Sequence, residues 1–493
     1  MWRAIDLGHH SIRWLDHSYA LPIPSQQEHT NDQNLHKYQR LTMDRLALCE
    51  LSSLIEVGQN STEISNAHSL FQSWRSLDQL TSSPFLGALS LIDKSDGALW
   101  VNTSEGEFTP RSLFSRWLSE TLTPAVTIGE TVTRANQSLI WLTSSGRLPS
   151  ISSFIYRCLS ELPYANGASL NSAIATLIGM GRRQNEPLKR GVWGVLDIGV
   201  GQASWSLVEI SESHVANHLS FRMLKSYGRS FVGDRGLRRA LLNHHLNSQQ
   251  RSWSELSHES KREWVDYVAT QSDTLIKRSW PRYLKSGNEI SLTDPSIERE
   301  CLELFQRYSR GTYLGVMDWI RHSLETTNIG PEALKGILVT GKHGLGVSAA
   351  LKRGLSAVNI KVAPYQIELL GAQEYVASTL YSGDRGYHVE EVSPHALILR
   401  EGSEDVTKVI FEEQTSLPVM HELELGPTLG EISLWLSSYS DQVIKIAEHP
   451  PISQHRRLHL YYEGPHLFEL SWVTEDRELD AMSPSEASAW VYS

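Results

Sequence analysis

Cysteine is scarce: three residues, Cys49, Cys158 and Cys301, stand far apart in a chain of 493. Neither a zinc-ligand spacing nor a disulfide framework can be assembled from them, so a reducing compartment, and with it a cytoplasmic location, is the economical expectation. Long apolar runs are missing too. Nowhere do about 18 apolar residues follow one another, the length that a membrane-crossing helix needs. The opening MWRAIDLG has no signal-peptide core, because Asp6 and His9 interrupt its apolar stretch. Positive charge is in deficit: 45 Lys and Arg against 56 Asp and Glu give a net charge of -11, which repels nucleic acid and anionic lipid surfaces. Neither is expected as a partner. An internal repeat of solenoid length and a low-complexity linker are also lacking. With 40% hydrophobic and 20% charged residues, the chain reads as an ordinary globular protein with core material for roughly three domain-sized units.

What is present centres on residues 191–210, GVWGVLDIGVGQASWSLVEI. The run predicts two β-strands joined by a glycine-rich turn, with Asp197 ending the first strand and Gly199 and Gly201 in the bend. Glycines there allow positive φ and let successive N–H groups converge on an anion, a nest for phosphate oxygens. A neighbouring Asp suits a Mg²⁺ held through water. Any Asp-x-Gly-x-Gly hairpin gives the same letters, so a plain turn is the competing reading. AIDLGHHSIRWL at residues 4–15 repeats the design, with Asp6 and Gly8 before a returning strand. Two such hairpins suggest a duplicated fold that closes on a nucleotide from both sides.

Around them the patterning alternates strands and helices. SLIWL (138–142) reads as a strand, and Pro149-Ser150 opens a helix carrying Ile155, Cys158 and Leu159. Residues 168–180 read as a small-residue helix, 230–246 as a turn and helix, and 263–280 and 296–326 as further helices. GILVTGKHGLGVSAALKRGL (336–355) reads as a strand, a turn at Gly341, Gly344 and Gly346, and a helix; helix 366–380 follows. From about 388 the texture changes. GEISLWLSS, RLHLYY and HLFELSWV alternate apolar and polar positions between Pro and Gly turns, which predicts a small antiparallel β domain.

These motifs, in this order, resemble the DnaK-type heat-shock-70 chaperones of the actin and sugar-kinase ATPase superfamily. AIDLG resembles the family's first phosphate hairpin, DIGVG its second, VTGKHG its adenosine-binding turn and ELLGAQ the helix after it. Gly233-Asp234 in FVGDRGLRRALLNH resembles its Gly-Glu-Asp turn and helix. EVSPHALILREG, FEEQTSLP, GEISLWLSS and LFELSWV fall in the order of its substrate-binding β-sandwich. The resemblance implies an α/β chain. Residues 1–385 would form a duplicated, actin-like (ribonuclease H-like) two-lobed ATPase domain, with lobe I at about 1–185, lobe II at about 191–365 and a closing helix at 366–380. An antiparallel β-sandwich would follow at 388–480, then a short tail, 481–493, with no helical lid. It implies ATP or ADP with Mg²⁺: Asp6 and Asp197 would hold the metal through water, and Asp197 would lead in orienting an attacking water. Gly8, His9, His10, Ser11, Gly199, Gly201 and Gln202 would surround the phosphates, and Gly233, Asp234, Gly341, Lys342, His343 and Gly344 the rest of the nucleotide. From the residues alone, His9 and His10 read better as ordinary turn residues than as phosphate ligands, and Asp234 slightly better as the cap of its helix than as part of a nucleotide cleft.

Departures from the family pattern are specific. His9 and His10 stand where it has hydroxyl residues. Val200 and Gln202 replace a Gly and a Thr. Trp74, beside Arg75, takes the place of a catalytic lysine, and Leu170 or Asn171 that of a carboxylate. Gln271 and Thr274 replace ribose-clamping residues. Tyr387-His388-Val389-Glu390 stands for a leucine-rich interdomain linker, which puts domain coupling in doubt. Two readings follow: an ATP-binding protein with weak hydrolysis that holds polypeptide segments in its sandwich, with a co-chaperone as a further partner; or a pseudo-ATPase scaffold docking one dedicated protein. A small-molecule kinase would need a catalytic carboxylate in a substrate pocket and has no use for the tail sandwich.

Overall fold

Apolar residues at every second position from Trp193 to Val195, and again from Leu196 to Ile198, give β9 (Gly191–Ile198) two buried faces, so it can only be a central strand. The computed structural model bears this out and describes residues 2–7, 11–17, 38–42, 56–58, 100–103, 106–108, 138–145, 155–156, 158–160, 162, 166–184, 188–199, 202–215, 218–230, 316–341, 347–348, 351–352, 355–364, 366–380, 386–401, 406–428, 430–437, 443–449, 455–464, 467–473 and 479–481. The chain is a mixed α/β protein with several sheets.

The first sheet has the order β3-β2-β1-β7-β8, from β1 (Trp2–Leu7), β2 (Ser11–His17), β3 (Tyr38–Thr42), β7 (Ser138–Thr143) and β8 (Asn166–Asn171). β1 runs antiparallel to β2 and parallel to β7, β2 is antiparallel to β3, and β7 is parallel to β8. A small sheet of β4 (Glu56–Gly58), β5 (Trp100–Thr103) and β6 (Gly106–Phe108) lies between them in sequence. The second large sheet has the order β13-β12-β9-β10-β11-β14, adding β10 (Gln202–Glu212), β11 (Leu219–Ser230), β12 (Gly336–Gly341), β13 (Ile360–Val362) and β14 (Tyr387–Glu390). β9, β10 and β11 are consecutive antiparallel strands, and β12 and β13 run parallel to β9. Apart from β14, strand order and directions repeat those of the first sheet.

Two helices join the sheets: α1 (Ser172–Gln184) and α3 (Ile367–Leu380). Ala4 and Ile140 of the first sheet, Ile174 and Leu177 of α1, Ile367 and Ala372 of α3, and Trp193, Val195 and Val208 of the second sheet make one core. The helices cross closely at glycines. A Cβ on Gly179 would collide with the Ile367 carbonyl oxygen, and one on Gly371 with that of Ala175. On the other face of the second sheet, Leu196, Ile198, Trp205, Leu207 and Ile337 pack with Trp319, Ile320 and Leu324 of α2 (Val316–Thr326).

Two four-stranded antiparallel sheets complete the chain. One is β16-β15-β18-β19, from β15 (Ala396–Glu401), β16 (Val406–Phe411), β18 (Ile432–Ser437) and β19 (Val443–His449). The other is β17-β20-β21-β22, from β17 (Val419–Leu425), β20 (Arg456–Gly464), β21 (Leu467–Val473) and β22 (Leu479–Ala481). They share the core of Leu397, Phe411, Leu423, Leu434, Leu436, Leu458, Leu460 and Tyr462. In β18, Leu434 and Leu436 point in, and Trp435 points out under the Arg400 guanidinium, 4.9 Å from the ring centroid.

Two expectations change. Ala168–Asn171 is the end of strand β8 rather than the start of a helix, because those residues pair with β7; the Asn171 side chain then caps α1, its Oδ1 accepting from the Ala173 N–H at 2.9 Å. Tyr387–Glu390 pairs parallel to Leu219–Arg222, so the strands of the sandwich begin at Ala396, not at about 388. Among the described residues, no helix is long and apolar enough to cross a membrane. The predicted segments 230–246 and 263–280 lie for the most part or wholly outside the described residues.

Candidate functional site

Asp6 and Asp197 occupy the same place in the two sheets: each is the penultimate residue of the central strand, just before the hairpin that leads into the next. Side chains alternate along a strand, so Asp6 shares a face with Ala4, and Asp197 with Trp193 and Val195. Those three neighbours belong to the core between the sheets. The two half-buried carboxylates therefore belong to the faces that look toward each other, at the ends of the parallel strands, where open α/β sheets bind ligands.

Asp197 is oriented from the neighbouring strand: the Thr340 hydroxyl donates to its Oδ1 at 2.8 Å, an outcome of the register that sets Thr340 of β12 opposite Asp197. Gly341 follows with φ +94, and a Cβ there would strike the Ile198 carbonyl oxygen. Only glycine fits that close approach. Gly199 is different: it does not use positive φ, contrary to the expectation for the turn, and a Cβ would meet only the Gln202 carbonyl oxygen at 3.5 Å and Cγ at 3.8 Å. Its N–H donates to that carbonyl at 2.9 Å.

Gln202 is 8% exposed, and its side-chain Oε1 is buried without a hydrogen-bond partner among the described residues. It lies on the same face of β10 as Ser204, whose hydroxyl accepts from that of Ser144 at 3.4 Å. Ser144 follows β7, so this face turns toward the first sheet. Beside it, Ser145 bonds to Ser226 of β11, and Ser226 lies 3.5 Å from the Ser206 hydroxyl. A seam of buried serines thus joins the two sheets next to Asp197. Sequence reading passed over Thr340 and these serines. Their signal is weak but real: Ser204 and Ser206 are polar at alternate positions among the apolar Ala203, Trp205, Leu207 and Val208, on the side that Asp197 occupies.

The sandwich end of the chain reaches the same region from two sides. Glu391, just after β14, accepts from the Asn171 N–H at 3.1 Å, and its charge, after burial, raises the Tyr375 phenol on α3. Gln414, with φ +68 in the turn between β16 and β17, accepts from the Ser226 N–H at 2.8 Å and donates to the Ser226 carbonyl at 3.0 Å, as a neighbouring strand would.

Of the other expected site residues, Ser11 opens β2 opposite Thr42. Gly8, His9, His10, Gly201, Gly233, Asp234, Lys342, His343 and Gly344 lie outside the described residues, as do Trp74, Arg75, Gln271 and Thr274. Among the described residues, no group of three or more His, Cys, Asp or Glu side chains could ligate a metal directly. No protein-family model matches the chain, and no curated protein matches it.

Proposed function

We propose that this is an ATP-binding protein of the heat-shock-70 kind. Its two large sheets would form actin-like lobes that close on Mg²⁺-ATP, and its terminal sandwich would hold a polypeptide segment. The observation that carries the reading is the repeated strand order, β3-β2-β1-β7-β8 against β11-β10-β9-β12-β13, with an aspartate at the equivalent position of each central strand. Asp6 and Asp197 would meet the metal through its water shell, since two carboxylates facing across a cleft suit a hydrated Mg²⁺ better than direct ligation. A Cβ on Gly199 would be in ordinary contact with the Gln202 carbonyl oxygen at 3.5 Å, and among the described residues the buried Gln202 Oε1 has no hydrogen-bond partner, which a ligand or its water would supply. Leu170 and Asn171 stand where the family carries a carboxylate, and both are buried, with Asn171 engaged in capping. Hydrolysis should therefore be slow, since one lost charge-stabilising group commonly costs on the order of a hundredfold.

Titration with Mg²⁺-ATP while following the melting temperature tests this. A bound nucleotide stabilises the fold by mass action, about 2.7 kcal/mol at a hundred times Kd, so a saturable rise is expected for ATP and ADP. A flat response at millimolar nucleotide favours the second reading, a scaffold without nucleotide. The serine seam and the contacts of Glu391 and Gln414 support that alternative, because they tie the sheets and the sandwich turn together without a ligand.

A further inference from the structure

We infer that Gln202 holds the attacking water in this site, taking over the task for which the chain has no carboxylate at Leu170 or Asn171. The inference rests on the nucleotide reading. Gln202 closes the β9–β10 hairpin through its backbone carbonyl, which accepts from the Gly199 N–H, and its side chain takes no part in that bond. Gln202 is nevertheless more than nine-tenths buried, with no hydrogen-bond partner for Oε1 among the described residues. It stands on the face shared by Ser204 and Asp197, toward the first sheet. A buried acceptor without a donor is a standing cost to a fold, and leucine at this position would avoid it.

The missing partner must donate a hydrogen bond. Phosphate oxygens of a nucleotide carry no proton to give and repel a carbonyl oxygen; a water beside the terminal phosphate has two. The Asp197 carboxylate is partly committed, since its Oδ1 accepts from Thr340. A carboxamide can accept from the water through oxygen and donate to a phosphate oxygen through nitrogen, fixing one against the other; glutamine orients water this way in GTPases. In the step, the water oxygen bonds to the terminal phosphorus while the bond from that phosphorus to the bridging oxygen breaks. The bridging oxygen leaves on ADP with the electron pair, and the water's proton passes by way of inorganic phosphate to solvent. The amide stays neutral throughout, so Gln202 positions the water and does not remove its proton.

The test uses the full chain and three readouts: melting temperature without ligand, affinity for Mg²⁺-ATP, and single-turnover hydrolysis. Gln202→Leu should melt at or above the wild-type temperature, bind ATP within about threefold of wild type, and hydrolyse it at least about tenfold more slowly, the split expected of a group acting on the chemical step. Gln202→Glu keeps an acceptor and should retain turnover, with a new dependence on pH through the carboxylate range that the wild type lacks. Unchanged turnover in Gln202→Leu overturns the inference. So does loss of folding or of ATP affinity in both variants, which marks a structural role. ATP binding without any turnover in the wild type overturns it while leaving the nucleotide reading intact; no binding at all overturns both.

Discussion

Trp205 is fully buried and gives its indole N–H to the Ser323 hydroxyl at 2.8 Å; that hydroxyl donates in turn to the Ile320 carbonyl. Ser323→Ala would leave a buried donor unpaired and should cost about 1–3 kcal/mol, read by urea unfolding. His395 is the opposite case. Among the described residues neither nitrogen of its buried ring has a hydrogen-bond partner, and burial lowers its pKa from 6.5 to about 4. The folded state therefore binds fewer protons than the unfolded one. Its contribution is fully present above pH 6.5 and is lost as pH falls from there toward 4. His395→Leu should flatten the fall in stability between pH 6.5 and 4.5; an unchanged slope in urea midpoints would assign that fall to other groups. Asp6 and Asp197 were legible as residues because each ends an apolar strand before a glycine turn. Thr340 was not: its partner Asp197 is 143 positions away, and only the parallel pairing of β12 with β9 brings them together. Gln202 was legible as a replacement at its position but not as a buried amide, since burial depends on the first sheet closing over it.

At the scale of elements, the crossing of α1 and α3 is the most constrained contact, because Gly179 and Gly371 meet backbone rather than flexible side chains. Gly371→Ala must push the helices apart and should destabilise by about 1–3 kcal/mol, seen as a lower melting temperature. β14 is held differently. Tyr387 packs edge-on to Phe221, with centroids 5.7 Å apart, and stacks on Tyr375 at 6.5 Å. The ion pairs of Glu390 with Arg222 at 3.8 Å and with His388 at 3.3 Å are exposed and worth little. Hydrogen exchange at Leu219–Arg222 and Tyr387–Glu390 should quicken in Tyr387→Ala and hardly change in Glu390→Gln. Helices and hairpins announced themselves by period. β8 did not, because its short run NGASLN lacks both alternation and β-branched residues and becomes a strand only by pairing with β7.

For the whole molecule, the change of texture before the last hundred or so residues is matched by antiparallel sheets there, and the aspartates of the two Asp-x-Gly motifs fall on corresponding strands, β1 and β9, of the two large sheets. How the pieces are tied was not legible. Glu391 bonds to Asn171 and Gln414 to Ser226, through polar side chains in segments that carry no periodic signal. Asp6 and Asp197 are proposed to act together on one nucleotide, and titration calorimetry of Mg²⁺-ATP into the wild type, Asp6→Asn and Asp197→Asn tests this. One site per chain is expected in the wild type, weakened about tenfold or more by either substitution, since each removes a charge from the metal's shell. Wild-type heats at the level of dilution, or binding that neither substitution alters, would contradict it.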